Sequence, residues 1–410
     1  MGNEYLRRFV DLSNELNEFN HIKIPLCAAE TTLSDFTKNI NCENFSHLYA
    51  MGNFFRDEKN DFIGSKYVFK LYDLLTEICT QIFDAKYIDA RTLSGMNCSL
   101  MVFMTLLKCG DKVLLTTAEQ GGHASVPKLL NSLNIDYEPI PYDYKNYQID
   151  YEMTNKLLKE NDYRALVFCQ SDILQPPDLN ELNLKDDTLI LYDATQTYGL
   201  IAGKVLANPL KNSKTVLFGG THKTIPGPTG GLILCNDDKL SALLDKRINP
   251  EFIRNVQPDK IAQLVLTLIE LIETNFEYIK SIPKCANKLG FYLKEIGFDI
   301  PTLSNNQFTL THQIFIKTSM NDCETIYKNA LKYNVTLNKK HKLLFGNYGI
   351  RLGVQEISKY SWDDTIIELL ATLIKELSYP KENGDKILSL RKLLVSKKIP
   401  HFTYNNIAIE

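Results

Sequence analysis

An acid and a lysine stand just past two neighbouring apolar runs of this 410-residue chain. Leu189-Ile190-Leu191-Tyr192 ends on Asp193. Thr215-Val216-Leu217-Phe218 leads through Gly219-Gly220 to Thr221-His222-Lys223-Thr224. A third run, Gly231-Leu232-Ile233-Leu234, follows the turn signal Pro226-Gly227-Pro228. Short apolar runs bounded by turn residues read as strands buried on both faces. In open α/β sheets functional side chains collect just past the strand ends, so Asp193 and Lys223 are expected in one crevice. The chemistry such a pair suits is that of pyridoxal 5'-phosphate, with Lys223 as the Schiff-base amine and Asp193 keeping the pyridine nitrogen protonated. Two plainer readings stay open: strand-end lysines are commonly solvated, and Asp193 also fits a helix N-cap. Against them, the glycines around Lys223 let backbone approach closely, and a carboxylate after a fully apolar strand costs free energy unless it is paired.

Four other places could carry chemistry. Ser94-Gly95-Met96-Asn97 precedes a helical run, and backbone N–H groups at a helix N-terminus bind phosphate, although the same residues describe an ordinary N-cap. His123 follows Gly121-Gly122 in a loop. Arg351 interrupts the small apolar strand Gly349-Ile350-Arg351-Leu352-Gly353, where a guanidinium is either salt-bridged or ready to grip a carboxylate bidentately. Glu30 is the one carboxylate of the mostly apolar segment from Ile24 to Thr32.

These residues need a frame. Helical spacing marks residues 4–20, 67–83, 98–109 and 261–279, and strand-like runs fall at 112–115, 164–168, 189–192, 215–218 and 231–234. The alternation over roughly 90–235 predicts an α/β fold with a mostly parallel sheet. A smaller C-terminal domain should carry strands near 308–317 and 349–353 and a helix from about 362 to 377. Residues 381–398 read as a mildly basic, solvated surface helix. The net charge of -3 gives no reason to expect nucleic acid or an anionic membrane as partner. No apolar run reaches membrane-spanning length. Nine scattered cysteines without C-x-x-C spacing predict no metal site and fit a reducing compartment, so a cytoplasmic protein is expected.

Taken together, the motifs resemble serine hydroxymethyltransferase, collinearly from about Leu26 to Trp362. Thr221-His222-Lys223-Thr224 with Gly227-Pro228 and Gly230-Gly231 resembles that family's lysine motif. Leu26-Cys27-Ala28-Ala29-Glu30 resembles its L-I-A-S-E segment, and Ser94-Gly95 its S-G-S phosphate loop. Gly121-Gly122-His123 matches the G-G-H whose imidazole stacks on the cofactor. Ser171 falls where the family places a serine near the cofactor's phenolic oxygen. Asp193 begins the D-x-A-H-x-x-G-L segment, and Gly349–Gly353 resembles the G-L-R-I-G that carries the substrate-carboxylate arginine.

The resemblance implies a fold type I enzyme, with a seven-stranded, mostly parallel large-domain sheet and a smaller α+β C-terminal domain. Its implied divisions are an N-terminal arm to residue 45, a large domain over 46–255, a linking helix over 256–280, a small domain over 281–378 and a tail over 379–410. The cofactor set it implies is Ser94, Gly95, Met96, His123, Ser171, Asp193, Gln196, Thr221, His222 and Lys223. Arg351, Glu30, Tyr49 and Phe62 face the substrate, and Glu30 also serves as proton carrier. It further implies a homodimer with shared active sites.

Several positions depart from the family pattern. The glutamate of Y-A-E-G is Met51, a thioether that cannot move protons. The R-Y-Y-G-G tyrosine is Phe62, and the histidine after the aspartate is Gln196. The S-G-S serine is Met96, the arginine after G-P is Thr229, and Q-G-G-P reads Asn255-Val256-Gln257-Pro258. The expected reaction is therefore aldol or retro-aldol, transaldolase or hydroxymethyltransferase-like chemistry on a small α-amino acid with an aldehyde, with threonine transaldolases and aldolases favoured over folate-dependent serine–glycine exchange. Decarboxylation, racemisation or transamination on the same cofactor, or a folate-dependent transfer with altered residues, is the first alternative, and a non-catalytic binding or assembly role the second.

Overall fold

The computed structural model describes residues 2–50 and 62–404, so Met51 lies outside the described residues. The chain divides into two compact units, one of residues 1–30 and 281–401, the other of residues 31–280 and 402–410. The contact divisions fall after residues 30, 280 and 401.

The larger unit is built on a seven-stranded sheet. Its strand order is Tyr87–Asp89, Pro226–Cys235, Thr215–His222, Leu189–Asp193, Ala165–Phe168, Lys112–Leu115 and Asp136–Pro139. All neighbours are parallel except Pro226–Cys235, which is antiparallel to both strands beside it. The apolar runs are strands because each is buried on both faces: Ala165–Phe168 has no exposed residue, and Leu189 to Tyr192 are likewise buried. Helix Gly95–Leu106 packs its Phe103 edge-on against Phe218 of the sheet, with ring centroids 6.1 Å apart.

The strand Tyr87–Asp89 ends where the Asp89 carboxylate turns back to accept from the Arg91 N–H at 2.8 Å. Arg91 is itself buried between Asp89 (2.6 Å) and Asp245 (2.8 Å), which fixes the approach to Ser94. One expectation changes here: Pro226-Gly227-Pro228 is not a turn but opens the antiparallel strand, with a register shift between Pro226 and Gly231. Lys223 therefore sits on a tight hairpin connection.

In the smaller unit, Gln313–Lys317, Asn347–Gly353 and Asn338–Lys342 form an antiparallel sheet with Asn347–Gly353 in the centre. Ile24–Pro25 pairs in parallel with Val335–Thr336. The single helix expected over 261–279 is two, Pro258–Glu273 and Glu277–Glu295, because Asn275 and Phe276 adopt left-handed backbone (φ 51° and 54°) that ends the first. The basic C-terminal helix, Gly384–Ser396, is not simply solvated: Ile387 and Leu394 are fully buried. Its Lys386 pairs with Glu376 at 2.6 Å.

Candidate active site

Asp193 ends its strand and turns back on its own backbone. Its Oδ1 accepts from the Thr195 N–H at 2.9 Å and from the Thr195 hydroxyl, while among the described residues Oδ2 has no protein donor. Burial raises its proton affinity above that of an ordinary carboxyl, opposed by the Thr195 hydrogen bonds and by the positive charges of Lys223 and His123. The turn that ends the strand also holds the Asp193 carboxylate, which feels the charges of Lys223 and His123.

Lys223 is half-buried, and its carbonyl accepts from the Thr31 hydroxyl at 2.7 Å. Its neighbour Thr224 donates to the Gln196 carbonyl (3.1 Å) and accepts from the Gly199 N–H (3.0 Å), so the lysine hairpin is stitched to the segment after Asp193. Gln196 is buried beneath that stitch. His222 loses proton affinity through burial and then through the Lys223 charge, and among the described residues its buried Nδ1 has no hydrogen-bond partner. The Thr221 hydroxyl donates to the Pro228 carbonyl at 2.7 Å and so shapes the hairpin.

Ser94 caps helix Gly95–Leu106, its hydroxyl accepting from the Asn97 N–H at 3.2 Å. That bond leaves the Ser94 proton and the Gly95 and Met96 N–H groups as the donors available to an anion. A Cβ on Gly95 would lie 2.8 Å from the Gly220 N and 3.0 Å from the Thr195 Oγ1, so only glycine lets this helix start against the acid and the lysine strand.

His123 and Ser171 come from distant stretches joined by one backbone clasp. The His123 N–H donates to the Cys169 carbonyl (2.8 Å), and the Ser171 N–H donates to the Gly121 carbonyl (2.7 Å). Gly122 must be glycine, since a Cβ there would stand 1.9 Å from the Thr116 oxygen. The Ser125 N–H donates to His123 Nδ1 at 3.3 Å, which leaves the ring's proton on Nε2 in the neutral form.

Arg351 and Glu30 belong to the smaller unit. Arg351 is 5% exposed and one guanidinium nitrogen donates to the Asn338 Oδ1 at 2.8 Å. The Glu30 segment lies along the same strand: the Gly353 N–H donates to the Leu26 carbonyl at 2.8 Å, and Gln355 Nε2 donates to the Cys27 and Glu30 carbonyls at 2.6 and 2.8 Å. A cavity of about 200 Å³ opens beside Cys27, Glu30 and Asn338, which gives water access to the Glu30 carboxylate. In the larger unit, the Tyr49 and Phe62 rings meet at a tilt of 44° with centroids 4.5 Å apart, and the Ala50 N–H donates to the Asn255 Oδ1 at 3.3 Å.

Sequence reasoning missed Thr195, Asn338 and Thr224. The first had a signal, since a hydroxyl residue two positions after an aspartate is a standard partner for its carboxylate. The other two act across long sequence separations and had none.

An acid with one open oxygen, a lysine on a glycine-lined hairpin and a capped helix start within one unit fit pyridoxal phosphate, with Asp193, Lys223 and the Ser94–Met96 segment as the groups that could hold it. The fold and these residues define a fold type I pyridoxal-phosphate enzyme. The sequence model of serine hydroxymethyltransferase matches residues 8–374, and the chain belongs to that family. It is 28% identical to a serine hydroxymethyltransferase of Sulfolobus acidocaldarius, over 98% of this chain and 96% of the relative. It is 30% identical to one of Picrophilus torridus, over 91% and 89%. An L-threonine transaldolase from Pseudomonas fluorescens superposes with a TM-score of 0.87 over 98% of this chain and 94% of that one, at 22% identity. Membership makes this a pyridoxal-phosphate enzyme acting on amino acids, with chemistry at the Cα–Cβ bond. Among the described residues no helix is long and apolar enough to cross a membrane, and no metal-binding group of His, Cys, Asp or Glu occurs.

Proposed function

We propose that the chain makes and breaks the Cα–Cβ bond of a small α-amino acid by aldol and retro-aldol steps, taking its second carbon unit from an aldehyde without folate. The observation that carries this reading is an acid–lysine pair suited to the cofactor, with Gln196, which cannot carry a proton, stitched to the lysine hairpin, while Phe62 elsewhere in the chain lacks a hydroxyl. Bound pyridoxal phosphate supplies an electron sink for the electrons released at Cα. Lys223 Nζ would hold the group through its aldehyde. Asp193 Oδ2 would keep the pyridine nitrogen protonated, and the His123 imidazole would support the ring. Ser94 with the Gly95 and Met96 N–H groups, Ser171, Gln196 and His222 complete the cofactor set, and Thr221 supports it through the hairpin. Arg351 grips the α-carboxylate and so selects which Cα bond is broken. Glu30 carries the proton to and from the substrate oxygen, and Tyr49 and Phe62 line the substrate side. The working form is a homodimer with shared active sites.

The test mixes purified protein with glycine and a panel of aldehydes, with and without tetrahydrofolate. A β-hydroxy amino acid formed without folate is expected, and Lys223→Ala should lose roughly a thousandfold or more in rate together with the visible absorption of the bound cofactor. A strict folate requirement, or release of carbon dioxide or a keto acid as the main product, would overturn the reading.

A further inference from the structure

We propose that Thr195 is a positioning residue that dictates which oxygen of Asp193 meets the cofactor's pyridine nitrogen and locks that carboxylate to the lysine hairpin. Both donors of Thr195 are spent on one atom: its N–H and its hydroxyl reach Oδ1 of Asp193. The same hydroxyl accepts from the Gly220 N–H at 2.8 Å, three residues before Lys223. The packing around it has no slack. A Cβ on Gly219 would lie 2.6 Å from the Thr195 N and Oγ1 and 2.8 Å from the Asp193 Oδ1. The first residue of the phosphate-side helix, Gly95, closes the third side.

Three elements therefore converge on one hydroxyl: the start of the phosphate helix, the strand leading to Lys223 and the turn bearing the acid. With Oδ1 saturated, the carboxylate cannot rotate without breaking two hydrogen bonds, so Oδ2 is held as the acceptor for the ring nitrogen. Charge-assisted hydrogen bonds of this kind are among the stronger ones in proteins. The charged and titratable groups sharing this field are Lys223 and His123, with the Cys98 thiol and the Tyr192 and Tyr198 phenols, all three raised in pKa mainly by burial.

The proposal rests on the assignment of the cofactor, and the test separates the two. Full-length Thr195→Ala, Thr195→Val and Thr195→Ser are stripped of cofactor and titrated with pyridoxal 5'-phosphate, with binding read by visible absorption. Ala and Val should bind about tenfold more weakly, and Ser should return to within about twofold of the parent. The stripped proteins are also melted across pH. Loss of the hydroxyl removes a donor to the charged carboxylate, so the pH range in which the melting temperature falls should shift upward in Ala and Val but not in Ser. Val matching the parent while Ser fails would make the methyl packing responsible and overturn the proposal. Unchanged binding by Ala and Val would overturn it alone. A parent chain that binds no pyridoxal phosphate would overturn the cofactor assignment with it.

Discussion

At the scale of single residues, the structure holds an acid where an acid is disfavoured. Burial raises the proton affinity of Asp193, and the Thr195 hydrogen bonds and the charges of Lys223 and His123 offset only part of that. The sign of the pH dependence follows. In the cofactor-free protein the folded state binds this proton more tightly than the unfolded chain does. The group's contribution to stability is therefore greatest at low pH. It declines as pH rises from the ordinary carboxyl range through the raised folded value. Asp193→Asn keeps an acceptor for Thr195 but removes the charge. The stripped variant should melt above the stripped parent at neutral pH, by on the order of 1 kcal/mol, and the gap should close in acid. With cofactor bound the order should reverse, because the amide cannot hold a proton on the ring nitrogen. Differential scanning calorimetry of both forms at pH 4, 6 and 8 checks this.

At the scale of elements, the site depends on where backbones touch, and this decided what was legible beforehand. The strands ending on Asp193 and carrying Lys223 were readable because burial on both faces leaves an unbroken apolar run. The glycines around them were readable as permission for close approach. The partner each glycine approaches was not, since Thr116 against Gly122 is set by tertiary register that no local pattern encodes. The same limit explains the reading of Pro226-Gly227-Pro228 as a turn, where hairpin pairing kept the strand going. The clasp at Gly121 to His123 gives an element-level prediction. Gly122→Ala forces a methyl into the Thr116 carbonyl and should cost about 3 kcal/mol. Because the clasp joins His123 to the strand that leads to Ser171, cofactor affinity should fall more than stability alone accounts for. Thermal melts and pyridoxal-phosphate titration of the variant, compared at equal fraction folded, measure both.

At the scale of the whole molecule, the helix Gly2–Ile22 presents more apolar surface than a solitary chain tolerates well. Tyr5, Leu6, Phe9, Leu12 and Leu16 are between 56% and 69% exposed, and Tyr5, Phe9, Leu12 and Leu16 recur at helical spacing along one stripe. Its far end is tied down, with the Lys398 ammonium donating to the Asn20, His21 and Lys23 carbonyls at 3.0 to 3.2 Å. Contiguous exposed apolar stripes of this kind serve as contact surfaces. A second copy of the chain would cover such a stripe on both protomers at once, since a two-fold interface reuses one patch. Phe9→Asp combined with Leu16→Asp puts two carboxylates into that patch and leaves every cofactor residue of the larger unit untouched. Sedimentation should show the parent as a dimer and the double variant as a monomer that still melts cooperatively. If active sites are shared between protomers, the monomer should also lose its aldehyde-dependent product formation, by more than tenfold, and recover it as protein concentration rises. A double variant that stays dimeric, or a monomer with full activity, would move the subunit contact elsewhere and make each chain's site self-sufficient.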